Sequence, residues 1–253
     1  MDVARILLVS CALALGLLPA CGPSERDPNV LVVAAASSLR DLLTDEGASF
    51  SPADPDVEVR LVFGASSKLS RQAEEGADFD LLLSADDFGV DRLGNQIDAS
   101  TRRVFLSNRL ALIGRAGLDS PPLSPEALAE SELTLALAAP PVPAGRYARE
   151  YLFVAGVLDA VQPRIVNAEH VRAALAMVES GAADCGLVYF SDSLALETGR
   201  VLWIGPSDGS PDITYVAAAL SRSTSPWADA YLEWLDSEAF LEAAESRGFQ
   251  RPR

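Results

Sequence analysis

Four short stretches of this chain place small or hydroxyl residues where an apolar run gives way to a helical pattern. They are Ala34-Ala35-Ala36-Ser37-Ser38, Gly64-Ala65-Ser66-Ser67, Val142-Pro143-Ala144-Gly145 and Ala168-Glu169-His170-Val171. A helix start presents unpaired backbone N–H groups and the positive end of its dipole, so several meeting at one point would hold an anion without any cationic side chain. Taken singly, Ser37 or Ser66 fits three roles: a nucleophile, an anion donor or a plain helix cap. The residues alone do not show that the four turns converge.

Two charged neighbours sharpen the question. Lys68, the only lysine, could raise the local potential and speed anion capture. It could equally be an exposed first-turn side chain, and a cation at a helix N-terminus is locally unfavourable. His170, the only histidine, invites a Ser-His-Asp hydrolase reading with Ser37 or Ser66 as nucleophile. Against it, Gly64-Ala65-Ser66-Ser67-Lys68 lacks the second glycine of a Gly-x-Ser-x-Gly elbow. Direct metal ligation is equally poorly supplied, with one histidine, no cysteine pair and no close carboxylate set. The expectation is a binding protein, not an enzyme.

The elements that must position these turns follow an α/β pattern with a mostly parallel sheet. Strands are expected at 30–35, 57–63, 80–84, 110–114, 133–138, 186–190, 201–204 and 213–220. Helices are expected at 39–50, 68–75, 125–130, 145–155, 169–180 and 226–247. In the fifth helix, Val171, Ala174, Leu175 and Val178 recur at helical spacing, Asn167 is a good N-cap and Gly181 follows the end. In the last, Trp227, Tyr231, Trp234 and Leu235 read as packing. In an open α/β sheet the turns of interest lie at the carboxyl ends of strands, where ligands bind.

Composition limits the partners. A formal charge of −16 without a Lys/Arg cluster argues against nucleic acid. It leaves a small anion possible, because a ring of donors can bind one whatever the net charge. The apolar run from Ile6 to Leu18 is too short to span a bilayer, which takes ~20 residues, and reads as an export signal. Leu18-Pro19-Ala20-Cys21 then looks like a lipobox, with Cys21 lipidated at the mature N-terminus. The alternative is an ordinary signal peptide cut nearby. Residues 22–29 would form a tether. Cys185 remains alone in the mature domain, in an apolar run that suits a small buried core residue.

Six motifs in one order carry a resemblance: "AAASS" (34–38), "FGASSKLSRQ" (63–72), "FDLLLSAD" (79–86), "VPAGRYA" (142–148), the run from Ala168 to Asp192, and "RGF" (247–249). Together they resemble the periplasmic molybdate-binding proteins of ABC importers, over about Val30 to Phe249. The resemblance implies a two-lobed type II periplasmic-binding fold that closes on a tetrahedral oxyanion, molybdate or tungstate, with no cofactor. By position the ligand residues would be Ser37, Ser66, Ala144, Val171 and Tyr189. The serines would give hydroxyl and backbone N–H, Ala144 and Val171 backbone N–H, and Tyr189 its phenol. Molybdenum would be held through its oxygens. Lys68 stands where that family commonly has a small or neutral residue, and His170 where an acidic one is usual. Residues 30–107 and 216–253 would make lobe one and 108–215 lobe two, with crossovers near 108–112 and 212–216 acting as a hinge. The expected partner is an ABC permease in the cytoplasmic membrane, met by a lipid-anchored monomer on the periplasmic or cell-surface side. Sulfate or a small organic acid is the alternative ligand.

A donor-only site would discriminate. Monoprotonated phosphate brings an O–H that finds no acceptor, and a buried unsatisfied donor costs ~1–3 kcal/mol. Sulfate carries no such proton, so its rejection would rest on cavity size.

Overall fold

The computed structural model describes residues 27–50, 56–206 and 211–252. The expected signal, the lipobox with Cys21 and most of the tether lie outside them. Ten strands are described: β1 (Val30–Ala36), β2 (Glu58–Gly64), β3 (Leu81–Ser84), β4 (Arg103–Asn108), β5 (Leu110–Gly114), β6 (Leu135–Ala138), β7 (Ile165–Ala168), β8 (Cys185–Tyr189), β9 (Arg200–Ile204) and β10 (Ile213–Ala219). The helices are α1 (Arg40–Glu46), α2 (Ser66–Glu74), α3 (Phe88–Asp91), α4 (Pro143–Val154), α5 (Leu158–Val161), α6 (Val171–Glu179), α7 (Phe190–Ser193), α8 (Ala228–Leu235) and α9 (Glu238–Ser246).

The strands form two five-stranded sheets, ordered β2-β1-β3-β10-β4 and β7-β6-β8-β5-β9. Each has three parallel strands followed by an antiparallel one, β10 in the first and β5 in the second. That antiparallel strand is the one arriving from the other sheet. The result is a two-lobed α/β fold in which the chain crosses from β4 to β5 and returns from β9 to β10. Only Arg109 separates β4 from β5, and Ile213 pairs with Asn108 where the crossings lie side by side. The expected boundary at 215/216 falls inside β10, because Tyr215 is already paired with Leu106 of the first sheet.

The inner strands β3, β6 and β8 are buried on both faces, as helix-covered strands must be. Leu81, Leu82 and Leu83 in β3 have no exposed surface, nor have Ala136 and Leu137 in β6. Cys185 is fully buried in β8, and burial pushes its thiol up to about 12, so it is inert. Tyr231 and Leu235 are buried, and the Trp234 ring packs 5.0 Å from Tyr231 and 4.7 Å from Phe240.

Several expected boundaries are corrected. The final helix is two helices, α8 and α9, because Ser237 accepts the Phe240 N–H at 3.3 Å and starts a new one. The 125–130 segment is a 3₁₀ turn over Glu126–Glu130. The helix expected at 39–50 keeps α-geometry only over Arg40–Glu46, with 3₁₀ turns on either side. Strands β4 and β7 were not expected, because neither is an unbroken apolar run like β1, β3 or β8. β7 is an edge strand whose Ile165 and Val166 are only partly covered and whose Asn167 is exposed, and β4 mixes Arg103, Ser107 and Asn108 into its run. Asn167 therefore lies within β7 and does not cap α6; its Oδ1 accepts from Arg149 Nη2 at 2.5 Å. The cap of α6 is His170, whose Nδ1 accepts the Ala173 N–H at 3.1 Å.

Candidate functional site

Between the lobes lies a small pocket lined by Ala36, Ser37 and Ser38, by Gly64, Ala65 and Ser66, by Val142, Pro143 and Ala144, and by Ala85, Val171 and Tyr189. All five residues that the sequence offered as anion ligands line it together: Ser37, Ser66, Ala144, Val171 and Tyr189. The first two groups and Ala85 belong to the first lobe, the rest to the second.

Local sequence explains why donors are left for a ligand. The caps of the turn before α1, of α2 and of α4 are Ala36, Ala65 and Val142, and none makes a side-chain capping bond. A serine at those caps would satisfy the helix N–H groups itself. Here Ser37 and Ser66 stand one residue later, as the first residues of their turns. Pro143 opens α4 at the position where a missing N–H costs nothing. At α6, His170 takes only the Ala173 N–H, three residues along. The helix starts that flank the pocket thus carry N–H groups without a capping side chain, and their dipoles favour negative charge there.

The side-chain donors are aimed by their other partners. Ser66 Oγ accepts the Ala85 N–H at 3.0 Å, which leaves its own proton to give elsewhere. Ser38 Oγ accepts from Tyr215 Oη at 2.9 Å, so its proton is likewise available. Tyr189 is 1% exposed and its hydroxyl has no hydrogen-bond partner in the protein. Burial holds that phenol well above its ordinary range, so it remains a neutral donor. A buried hydroxyl without a partner costs free energy, and such groups mark sites completed by something else.

The cavity volume of the pocket is about 10 Å³, roughly the room of a single water-sized sphere and far below the ~300–1,000 Å³ typical of pockets for drug-sized ligands. It suits one small ion. A larger cavity of about 300 Å³ lies beside it, lined by Ser38, Asp41, Arg172, Ser191 and Arg247 among others. Its charged groups are already paired, Arg172 with Asp41 and Arg247 with Asp45 and Glu46.

The imidazole has a different task from catalysis. His170 does not line the pocket, and its Nδ1 is occupied as the α6 cap. Burial holds its pKa below the usual 6.5, with Glu169 opposing, so the cap works with the neutral ring. Among the described residues no group of three or more His, Cys, Asp or Glu side chains is placed to hold a metal ion.

Sequence reasoning missed the supports. Ala85, at the end of β3, supplies the N–H that orients Ser66. Asn108, at the first crossing, donates to Ser191 Oγ at 2.8 Å and lies 3.4 Å from the Tyr215 hydroxyl, tying both lobes to Ser38. "FDLLLSAD" held the first signal, and a polar residue closing an apolar strand could have shown the second.

Comparison with known proteins decides the family. Residues 31–250 match the model described as "Bacterial extracellular solute-binding protein". The chain belongs to that family. It is 32% identical over 248 residues to the molybdate-binding protein ModA of Escherichia coli, covering 90% of this chain and 91% of the relative. It is 27% identical over 253 residues to a Bacillus subtilis protein described as a putative ABC transporter substrate-binding lipoprotein, YvgL, covering 96% of each. Among solved structures, the periplasmic molybdate-binding protein of Azotobacter vinelandii superposes with a TM-score of 0.76 at 24% identity, covering 88% of this chain and all of that one. That structure supports the two-lobed fold.

This solute-binding chain carries a pH-sensitive pair near its pocket. Asp192, three residues after Tyr189, has no exposed surface, and burial pushes its carboxyl up to about 7 although Arg172 Nε lies 2.5 Å away. Burial works against the Arg172 charge too, but Asp192 and Asp41 outweigh it and hold that guanidinium above its ordinary value. A carboxyl raised from 3.8 to about 7 keeps, in the folded state, a proton that the unfolded chain has lost. Its contribution to stability therefore falls as pH rises from about 4 to about 7 and is level above that. In Asp192→Asn the titration is gone, so the variant's stability relative to the parent should rise between pH 5 and pH 8 in urea unfolding. A difference that does not change with pH would mean that Asp192 stays ionised against Arg172.

Proposed function

We propose that this protein captures molybdate, and tungstate with it, for import by an ABC permease. One observation carries the reading: a single small pocket between the lobes where four helix starts and the unpartnered Tyr189 hydroxyl come together. Ser37 and Ser66 give hydroxyl and backbone N–H, Ala144 and Val171 backbone N–H, and Tyr189 its phenol. A dianion held this way has its desolvation offset by charge-assisted hydrogen bonds, so binding is tight yet reversible. The likeness to the Escherichia coli molybdate-binding protein supports the choice of ligand. The lobes close about the two crossings, and the closed form meets the permease. Cys21 anchors the chain to the membrane as a monomeric lipoprotein, an arrangement that the likeness to the Bacillus subtilis protein supports.

Calorimetric titration of the purified domain with molybdate, tungstate, sulfate and phosphate tests this. Molybdate and tungstate should bind, with phosphate and sulfate at least a hundredfold weaker. Sulfate binding as tightly as molybdate would move the assignment to a general oxyanion carrier.

Tyr189 separates binding from folding. Tyr189→Phe removes a donor that no protein atom uses, so unfolding stability should be unchanged or slightly higher. Molybdate affinity should fall about tenfold or more, since a hydrogen bond to a charged group is worth ~1.5–3 kcal/mol. Unchanged affinity would place the phenol outside the ligand shell.

A further inference from the structure

Among the described residues, three ion pairs join the lobes around the pocket, and each uses a residue close in sequence to one of its walls. Asp86, beside Ala85, pairs with Arg146 of α4 at 2.5 Å. Asp41 of α1 pairs with Arg172, beside Val171, at 2.5 Å. Lys68 of α2, two residues after Ser66, pairs with Glu169 at 2.8 Å. In every pair one partner belongs to each lobe, so none can survive opening of the cleft. We propose that these pairs form an ionic latch that sets how slowly the anion is released, with Asp86–Arg146 as its principal member. The proposal rests on the reading of the pocket as the anion site.

The ranking follows from burial and preorganisation. The Asp86 side chain is 3% exposed, and its Oδ1 is held by the Ser84 hydroxyl at 3.0 Å and the Gly89 N–H at 2.9 Å. Its position is thus set within its own lobe, and Arg146 loses little freedom in finding it. The Arg146 guanidinium also lies 5.1 Å from the centre of the Phe88 ring, a second contact to the opposite lobe. Arg172 is shared between Asp41 across the cleft and Asp192 in its own lobe, so opening removes one of its two partners. Lys68 and Glu169 are 59% and 63% exposed, and a solvated pair of that kind is weak and screened by salt.

This gives Lys68 a task that neither earlier reading gave it. Its ammonium neither points a free charge at the pocket nor stands alone at a helix start, because Glu169 takes it. A carboxylate at 169 and a cation at 68 form a pair only when the helix starts that carry Ser66 and Val171 face each other.

Release of radiolabelled molybdate into excess unlabelled anion tests the latch. Arg146→Gln and Asp86→Asn should each speed release about tenfold or more, and the double variant should be little faster than either single one. Association rates should change less than about threefold. At the exposed pair, which carries no folding risk, Lys68→Glu should speed release about two- to threefold at low salt, and Lys68→Glu with Glu169→Lys should restore it. Release unaltered in Arg146→Gln, additive effects in the double variant, or a charge swap that fails to restore release would overturn the latch. If the parent protein holds no molybdate in the same assay, the anion reading falls and the latch with it.

Discussion

Replacing both Ser37 and Ser66 by alanine is expected to weaken molybdate binding by roughly a hundredfold to ten-thousandfold. Each hydroxyl would give a hydrogen bond to a dianion, worth ~1.5–3 kcal/mol, and tenfold in affinity is about 1.4 kcal/mol. The backbone N–H groups remain in the variant, so binding should weaken without vanishing. The single substitutions should differ in a second measurement. Ser66 Oγ also accepts the Ala85 N–H, so Ser66→Ala leaves a buried donor unpaired and should lower stability by ~1–3 kcal/mol. No comparable internal bond is evident for Ser37, and Ser37→Ala should unfold close to the parent. Calorimetry with molybdate and urea unfolding read the two effects separately. Full affinity in the double variant would remove both serines from the ligand shell.

Gly145→Ala should be a severely damaging change for so small an addition. A methyl added there would meet the Ala138 carbonyl oxygen at 2.2 Å and that of Ala139 at 2.4 Å. Two effects oppose each other. Alanine is favoured over glycine inside a helix by ~1 kcal/mol, while overpacking against a rigid neighbour costs about 1–3 kcal/mol and sometimes more. The clash wins, because both obstructing atoms are backbone. The Ala138 carbonyl is the end of β6 and accepts from Arg149 at 2.8 Å, so it has no freedom to turn aside. We expect stability to fall by about 3 kcal/mol. Molybdate affinity should fall with it, since α4 must lift away from β6 and carry the Ala144 N–H out of the pocket. Gly47→Ala serves as the control. Nothing lies within 4 Å of a methyl placed there, and its stability should match or slightly exceed that of the parent. A Gly145→Ala protein as stable as the parent would show that the start of α4 can slide on its strand.

The sequence by itself determined the class of the fold, the turns that matter and the kinds of residue placed in them. Apolar runs ending in small or hydroxyl residues are a local signal, because a strand buried on both faces and a helix start each leave their mark within a few residues. Ser37, Ser66 and Ala144 were legible for that reason. Val171 was legible although its cap was misassigned to Asn167, because the apolar stripe of α6 is independent of how the helix begins. Strands β4 and β7 were not legible. What makes them strands is pairing with β10 and β6, and polar residues interrupt their own short apolar runs. The break between α8 and α9 was lost for a related reason, since Ser237 reads as a helix residue until its hydroxyl is seen to accept the Phe240 N–H. Convergence is the property that only the tertiary structure decided. Ser37 and Tyr189 are far apart in sequence and share a pocket because two crossings bring two sheets face to face. The same holds for Lys68. Its sequence context suggested a free charge, but a residue about a hundred positions away supplies its partner, and pairing at that separation is set by packing and leaves no trace in local pattern.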